Sequence, residues 1–347
     1  MDNSRKIYVF LIIITTVVVL IYGQSIIIPF ILAIIFWFII RVIKKQLRRI
    51  KFVNRLPTWL LTIFSTLLLI GFLTLATELI TQNISDLTKT IPVYQENVQK
   101  ITNAINEQFD IDLGDMINDL FKDFKFGDIL TDVLSAITGI FGDAFTVILY
   151  LLFLLLEEPL FPKKIRAMYP DDDQYKHATA LIDKIDHSIG NYIALKTFVS
   201  ILTGFLSYFV LLFIGVDAPA FWAFLIFILN FIPTIGSLIA TLFPTIFALL
   251  QFGDFTQGIL VITIVGSIQL VIGNFIEPKL MGDSLNISPL VVLLTLAIWG
   301  VMWGITGMLL SVPITVIMII IMSEFPTTKP LAILLSQTGK INTEDTL

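Results

Sequence analysis

Residues 217–254 read DAPAFWAFLIFILNFIPTIGSLIATLFPTIFALLQFGD, and this stretch decides the fold. Between its two terminal aspartates it contains 36 residues without a charge, whereas a helix needs only about 20 apolar residues to cross a bilayer. Asn230, Pro233 and Gly236 lie near its middle and disfavour a continuous helix there. The stretch therefore predicts two apolar helical arms joined by a break, rather than one membrane helix.

A second stretch of the same kind lies between Asp283 and Glu324, where 40 residues carry no charge. It is interrupted by Gly300, Gly304 and Gly307. Paired hydrophobic segments interrupted by glycine or proline indicate the binding site of a membrane transporter, because a broken helix exposes backbone amides and carbonyls to a polar substrate. The two stretches together are the main functional indication in this sequence.

The composition of the whole chain is that of a membrane protein. Of its 347 residues, 56% are hydrophobic, 14% are charged and 29 are phenylalanine, and the mean hydropathy is +0.91. A soluble globule could not cover so much apolar surface. Without cysteine the chain can form no disulfide and no thiolate metal site, and its two histidines argue against a zinc site. We therefore expect the lipid bilayer as a partner, and no cofactor, metal or nucleic acid.

Hydropathy predicts an all-α polytopic membrane protein with about eight hydrophobic segments, two of them broken or re-entrant, and a small helical ectodomain. The segments are residues 7–22, 26–40, 59–80, 135–156, 197–214, 219–250, 258–276 and 289–322. The two longest segments are the ones that contain the breaks.

The charged loops orient the chain. Residues 41–55 contain seven lysines and arginines and no acid, which by the positive-inside rule places this loop in the cytoplasm. Residues 82–135 follow the next crossing and contain ten acidic residues against four lysines, which fits the outer side. We predict that both termini are cytoplasmic.

The chain divides into six predicted regions. They are N-terminal transmembrane segments at 1–80, an extracytoplasmic helical domain at 81–135, a transmembrane segment at 136–160, a cytoplasmic amphipathic helix at 161–196, a transport core with broken-helix repeats at 197–323, and a cytoplasmic tail at 324–347. The amphipathic helix is inferred from an apolar stripe along residues 171–192.

Apolar residues in the predicted ectodomain recur at steps of three and four, the pattern of a helix that packs on another helix. They are Ile84, Leu87, Ile91, Tyr94, Val98, Ile101 and Ile105. Pro92 is expected to start or interrupt this helix. Its partner stays open: either a second helix of the same chain or another subunit or protein. The candidate residues of a second helix are Leu113, Ile117, Leu120 and Phe124.

Two topologies fit the second half of the chain. Eight single crossings give two helical hairpins in the same orientation. If the two long segments are instead re-entrant hairpins, each follows one crossing, and the two pairs form an inverted repeat. The inverted repeat is favoured because it accounts for the surplus length without a helix of about 50 Å.

Two polar residues in apolar surroundings have competing interpretations. Glu277 directly follows an uncharged crossing, and an acid in such a place is a functional candidate. Alternatively, it caps the next segment or pairs with Lys279. Asn230 in mid-membrane needs hydrogen-bond partners, which either a substrate or a neighbouring helix could supply.

The polar motifs occur in a characteristic order. They are Asn230-Phe-Ile-Pro233-Thr-Ile-Gly236, then Asn274-Phe-Ile-Glu277-Pro278-Lys279-Leu-Met281-Gly282, then Ser288-Pro289-Leu-Val-Val, and Gly304-Ile-Thr-Gly307 through Val312-Pro313. This series, within about residues 189–322, resembles the autoinducer-2 exporter family of bacterial permeases. The chain departs from the family pattern in lacking an Asn-Pro in the first cytoplasmic loop and in placing Trp299 and Trp303 beside the last glycines.

The resemblance implies an inner-membrane permease that forms a homo-oligomer, with a pentamer among the expected forms, and that moves its substrate by an elevator-like shift of one repeat bundle. Members of the family export the furanone signal autoinducer-2 or exchange sodium or lithium ions for protons. The candidate substrate-binding residues in this chain are Asn230, Pro233, Thr234, Gly236, Ser237, Gln269, Asn274, Glu277, Gly304 and Gly307.

Three functions compete at this point. Export of a small, neutral, hydroxylated metabolite needs hydrogen-bonding side chains more than charge, and the candidate set supplies them. Cation/proton antiport needs a carboxylate in the membrane, for which Glu277 is the candidate in the second half. A membrane enzyme or scaffold is the third, and no nucleophile-base pair in the membrane segments supports an enzyme. Export of a small molecule is the leading hypothesis, with a cation as the alternative substrate.

Overall fold

A computed structural model of the chain describes residues 3–109, 144–281 and 286–339. Leu113, Ile117, Leu120 and Phe124, the proposed second helix of the ectodomain, lie outside the described residues, as do Asp283 and residues 340–347. The two predicted partners of the apolar stripe in the ectodomain, a second helix of the same chain or another subunit or protein, therefore both stay predictions.

The described residues form twelve α-helices. They are α1 (Asn3–Tyr22), α2 (Gln24–Leu47), α3 (Thr58–Phe109), α4 (Ala144–Glu157), α5 (Phe161–Met168), α6 (Asp172–Ile214), α7 (Pro219–Leu229), α8 (Ile235–Phe252), α9 (Phe255–Val271), α10 (Glu277–Met281), α11 (Pro289–Glu324) and α12 (Lys329–Leu335). A π-helical turn, Ile272–Ile276, joins α9 to α10. No strand occurs in the described ranges, where the β-type pairing is one isolated bridge between Ile287 and Ser336.

Seven helical segments are long and apolar enough to cross a membrane. They are Gln24–Leu47, Thr58–Ile80, Ala144–Met168, Asp172–Ile214, Ile235–Phe252, Phe255–Met281 and Pro289–Glu324. Two shorter apolar helices, Phe10–Tyr22 and Pro219–Leu229, accompany them. The prediction of an all-α polytopic membrane protein is confirmed.

Two helices run through boundaries that the sequence suggested. α3 continues without a break through Pro92, so the expected interruption there is wrong. A proline removes one intrahelical hydrogen bond, and regular turns on both sides keep the helix intact. Likewise, the amphipathic stretch before residue 196 and the crossing after it form the single helix α6 of 43 residues.

The chain divides into two compact units. Unit 1 comprises the described residues of 1–69, 136–193 and 283–347, and unit 2 those of 70–135 and 194–282. In unit 1, charged and aromatic side chains tie three elements together: Arg41 pairs with Asp186 at 2.9 Å, and the Trp37 indole donates to Glu158 at 3.0 Å. This network connects α2 to the end of α4 and to the first half of α6.

Helices α7 and α8 of unit 2 form a hairpin, called hairpin 1 below. The Trp222 and Phe247 rings, near its open end, lie 4.9 Å apart. The Gln251 amide closes that end, because it donates to the Gly215 carbonyl at 2.9 Å and accepts from the Asp217 backbone N–H at 2.7 Å. α7 has 11 residues and a length of about 17 Å, which is half of what a crossing requires.

Helix α11 of unit 1 is also folded back on itself and is called hairpin 2. Its backbone leaves the helical region at Trp303 and at Gly304, whose φ is 61° and ψ −143°. A Cβ at Gly307 would lie 1.9 Å from the Trp299 carbonyl oxygen, whereas residues eight apart in a regular helix are separated by about 12 Å. Both predicted breaks are therefore present. The short first arms support re-entrant hairpins, whose place in the membrane stays a prediction.

Candidate functional site

The tip of hairpin 1 and the end of α9 lie at the same level of unit 2. α8 and α9 pack antiparallel, with Leu249 against Gly258 and Thr241 against Gly266. Continuing this register along the two helices places the tip, residues 230–237, beside the segment that begins at Gln269. Eight of the ten candidate residues are thereby brought to one end of the α8–α9 pair.

The tip itself is an unwound turn between α7 and α8. Thr234 has φ 59° and ψ −60°, and Ser237 Oγ donates to the Thr234 carbonyl at 2.8 Å. A Cβ at Gly236 would lie 1.8 Å from the Leu229 carbonyl oxygen, so the chain can reverse here only with glycine. Backbone N–H and C=O groups in this turn are therefore not part of the regular hydrogen-bond pattern of a helix.

Asn230 connects the tip to α6. Its side-chain amide donates to Ser200 Oγ at 3.1 Å, and both residues are buried. The structure therefore supplies the interhelical partner that the sequence required, and Ser200 is a residue that the sequence analysis did not identify.

Glu277 is paired with Lys196 of α6. The distance between Lys196 Nζ and Glu277 Oε1 is 2.5 Å, and the two side chains are 5% and 19% exposed. The suggested pairing with Lys279 is wrong, because Lys279 is exposed and Glu277 is directed at α6. Each buried charge needs the other close by, because removing one partner would leave an uncompensated charge in the interior and strongly destabilise the protein.

The π-helical turn directs Glu277 inward. The buried face of α9 and the turn comprises Gly258, Val261, Val265, Gln269 and Ile272. On a regular helix, a residue eight positions after Gln269 would lie about 80° away from it around the axis. The π turn adds one residue, which brings Glu277 to within about 20° of Gln269. Both side chains therefore belong to the same inner face.

Gln269, near the tip of hairpin 1, has a side-chain amide whose hydrogen-bonding groups are both unused. Its side chain is buried, and neither Oε1 nor Nε2 has a partner in the part of the chain that the structure describes. Each buried group left without a partner costs about 1–3 kcal/mol. A ligand that both donates and accepts a hydrogen bond could recover this cost.

The remaining candidates differ in exposure and position. Thr234 and Asn274 are exposed and Pro233 is half-buried, so they line the outer edge of the tip region. Gly304 and Gly307 belong to unit 1, where Gly304 is exposed and Gly307 is buried against Trp299 and Trp303.

Lys196, like Ser200, is a candidate site residue that the sequence analysis missed. A signal was present, because Lys196 is the only lysine or arginine between Lys184 and Lys279. It also lies on one face of α6 with the buried residues Ser200, Thr203 and Ser207, at helical spacings of four, three and four. A buried polar stripe of this kind indicates that α6 lines a polar interior.

The Lys196–Glu277 ion pair has no net charge, so the site interacts with a ligand mainly through hydrogen bonds. Within the described residues, no group of three or more His, Asp or Glu side chains could hold a metal ion. The polar side chains at this end of unit 2 are Lys196, Ser200, Asn230, Ser237, Gln269 and Glu277, of which Lys196 pairs with Glu277 and Ser200 with Asn230.

Comparison with known proteins agrees with this architecture. Residues 9–327 match the sequence profile of the AI-2E family transporter. The chain is 32% identical over 328 residues to the AI-2 transport protein TqsA of Escherichia coli (strain K12), which covers 92% of each chain. It is 31% identical over 352 residues to a "Putative transport protein" of Haemophilus influenzae, covering 96% of this chain and 98% of that one. A protein of the same description from Borreliella burgdorferi is 36% identical over 254 residues, covering 73% and 70%. The family match spans most of the chain, and the protein belongs to the AI-2E family of membrane transporters.

Proposed function

We propose that this transporter exports a small, uncharged, hydroxylated metabolite of the autoinducer-2 type, and that the substrate binds in unit 2 between the tip of hairpin 1, α6 and the end of α9. The relative TqsA is described as an AI-2 transport protein, which supports this substrate class. The chain is a multi-pass membrane transporter by its helices and its family.

The observation that carries the proposal is the isolated amide of Gln269. Both of its polar atoms are buried and have no partner among the described residues, and it lies level with the unwound tip. An amide of this kind favours a ligand with a hydroxyl group, because a hydroxyl both donates and accepts. A site that recognises hydroxyls discriminates strongly against analogues without them, since its buried polar groups would then stay unpaired.

The charges around the site favour a neutral solute over a free cation. Glu277 is the carboxylate that cation/proton antiport would need, and it already has the Lys196 ammonium 2.5 Å away. A sodium ion would have to displace this tethered charge. The names of the three relatives described above refer to transport or AI-2 transport and not to cation exchange.

The proposal includes the cellular setting. The protein would lie in a bacterial inner membrane with both termini in the cytoplasm, as a homo-oligomer. The substrate would be carried by an elevator-like shift of the bundle that holds the site. The proposed substrate-binding residues in unit 2 are Asn230, Pro233, Thr234, Gly236, Ser237, Gln269, Asn274 and Glu277. Gly304 and Gly307, in unit 1, stay candidates from the sequence alone.

Flux of radiolabelled autoinducer-2 in proteoliposomes tests this function. We expect flux in the unmodified protein and a loss of at least about tenfold in Gln269→Leu, since one unpaired hydrogen-bonding group is worth about 1.4 kcal/mol or more. Gln257→Leu is the matched control, because Gln257 lies on the same helix near the open end of hairpin 1 and should leave flux unchanged. Absence of flux in the unmodified protein, or equal flux in Gln269→Leu, would contradict the proposal.

A further inference from the structure

Lys196 is a charged residue in apolar, buried surroundings. It is in the interior of α6, its side chain is 5% exposed, and Nζ lies 2.5 Å from Glu277 Oε1. Twenty residues without a charge follow it, from 197 to 216. A lysine in such surroundings is retained only with a partner, and Glu277 is that partner.

The elements around this pair carry no competing charge. Hairpin 1 has none between Asp217 and Asp254, and α9 has none between Asp254 and Glu277. Lys279, two residues after Glu277, is exposed and takes part in no ion pair among the residues that the structure describes. The Glu277 carboxylate therefore depends on Lys196 for its countercharge.

A carboxylate surrounded by amide and hydroxyl oxygens is a suitable ligand for a small monovalent cation. Glu277 shares its inner face with Gln269, and Lys196 shares a face of α6 with Ser200, whose hydroxyl accepts from Asn230. The lysine ammonium occupies the position beside the carboxylate that such a cation would take. Unlike a free ion, it is covalently attached and cannot be transported.

We propose that Lys196 determines substrate class: as a tethered cation, it keeps sodium ions and protons from Glu277 and leaves a neutral site for uncharged solutes. This inference rests on the proposed function in unit 2 and adds a specificity-determining residue to it. It implies that the same polar site, without the lysine, binds monovalent cations.

The variant Lys196→Met tests the idea, because methionine keeps the length of the side chain and removes the charge. Purified protein is heated in sodium chloride or in the same concentration of choline chloride, at alkaline pH where protons compete weakly. We expect sodium to raise the Tm of Lys196→Met by several degrees and to leave the unmodified protein unchanged. In proteoliposomes, a sodium gradient should drive proton movement in Lys196→Met at least about tenfold faster than in the unmodified protein.

Two controls separate this role from a merely structural ion pair. Lys279→Met removes a nearby exposed lysine and should show no sodium effect. The double variant Lys196→Met/Glu277→Gln removes the carboxylate as well and should lose the sodium effect, while its Tm in choline exceeds that of Lys196→Met. A structural role alone predicts a lower Tm for Lys196→Met without sensitivity to sodium.

The inference is overturned if Lys196→Met elutes as the unmodified protein does in size-exclusion chromatography and shows no sodium effect, or if the unmodified protein responds to sodium equally. These outcomes are distinguishable from failure of the proposed function. Autoinducer-2 flux is measured separately in the unmodified protein, and the sodium response of Lys196→Met does not depend on it.

Discussion

Hairpin 1 and hairpin 2 reverse the chain in the same way. At the tip of hairpin 1, a Cβ on Gly236 would lie 1.8 Å from the Leu229 carbonyl oxygen and 2.9 Å from Ile232 Cβ. In hairpin 2, a Cβ on Gly307 would lie 1.9 Å from the Trp299 carbonyl oxygen and 3.0 Å from Trp303 Cβ. Each reversal therefore depends on a glycine that lies against the carbonyl of the preceding arm.

The side chains at the two tips are of opposite character. Hairpin 1 presents Asn230, Thr234 and Ser237, whereas hairpin 2 presents Trp299 and Trp303, whose rings are 4.7 Å apart. The Trp303 indole donates to the Leu20 carbonyl of α1 at 2.9 Å, so it is satisfied within its own unit. A broken helix therefore provides only the reversal of the backbone, and the neighbouring side chains decide whether the tip can bind a polar substrate.

The largest expected effect comes from filling the two glycine contacts. Gly236→Ala and Gly307→Ala should each abolish transport while the protein still inserts into the membrane, because a methyl group cannot occupy 1.8 or 1.9 Å from an oxygen and the tip must open. Proteoliposome flux and size-exclusion chromatography measure the two properties.

Gly190→Ala is the matched control for this pair, since no described atom outside its chain neighbours and its own helix backbone lies within 4 Å of a Cβ at Gly190. Loss of transport in Gly236→Ala with normal transport in Gly307→Ala would show that the two reversals are not equivalent, and that only the tip of hairpin 1 is needed for transport.

A smaller, contrasting effect is expected from removing one hydrogen bond at each hairpin. Ser200→Ala leaves the buried Asn230 amide without its acceptor and Trp303→Phe removes the donor to Leu20, each change costing about 1–2 kcal/mol of stability. Flux per folded protein should fall about tenfold in Ser200→Ala and less than about twofold in Trp303→Phe, because the proposed polar site lies at hairpin 1. Equal losses of flux would show that the aromatic tip also contacts substrate.

The smallest effect on activity, and the sharpest test of topology, comes from single cysteines in this cysteine-free chain. Thr256→Cys and Asp283→Cys should retain transport, and a membrane-impermeant maleimide should label them from opposite sides. With re-entrant hairpins, Thr256→Cys is labelled from outside. Labelling of Thr256→Cys from the cytoplasm would instead establish eight plain crossings and remove the inverted relation between the hairpins.

The fold class and both breaks could be predicted from the sequence because they depend on local properties. Uncharged stretches of 36 and 40 residues exceed one crossing, and glycine, proline and asparagine interrupt helices wherever they occur. Residue type also identified Asn230, Gln269 and Glu277 as polar groups in apolar surroundings. The continuity of α3 through Pro92 and of α6 through residue 196 could not be predicted, because a proline removes only one intrahelical hydrogen bond and the turns on both sides can keep the helix intact.

By itself, then, the sequence determined that this is a membrane transporter with two broken hydrophobic segments, since hydropathy and helix-breaking residues act over a few turns. Only the tertiary structure decided the partners: Lys196 for Glu277 across 81 residues, Ser200 for Asn230 across 30, and none for Gln269 within residues 3–109, 144–281 and 286–339. The physical reason is that pairing depends on which helix faces meet, and here one extra residue in the π turn Ile272–Ile276 directs Glu277 to α6 rather than to Lys279.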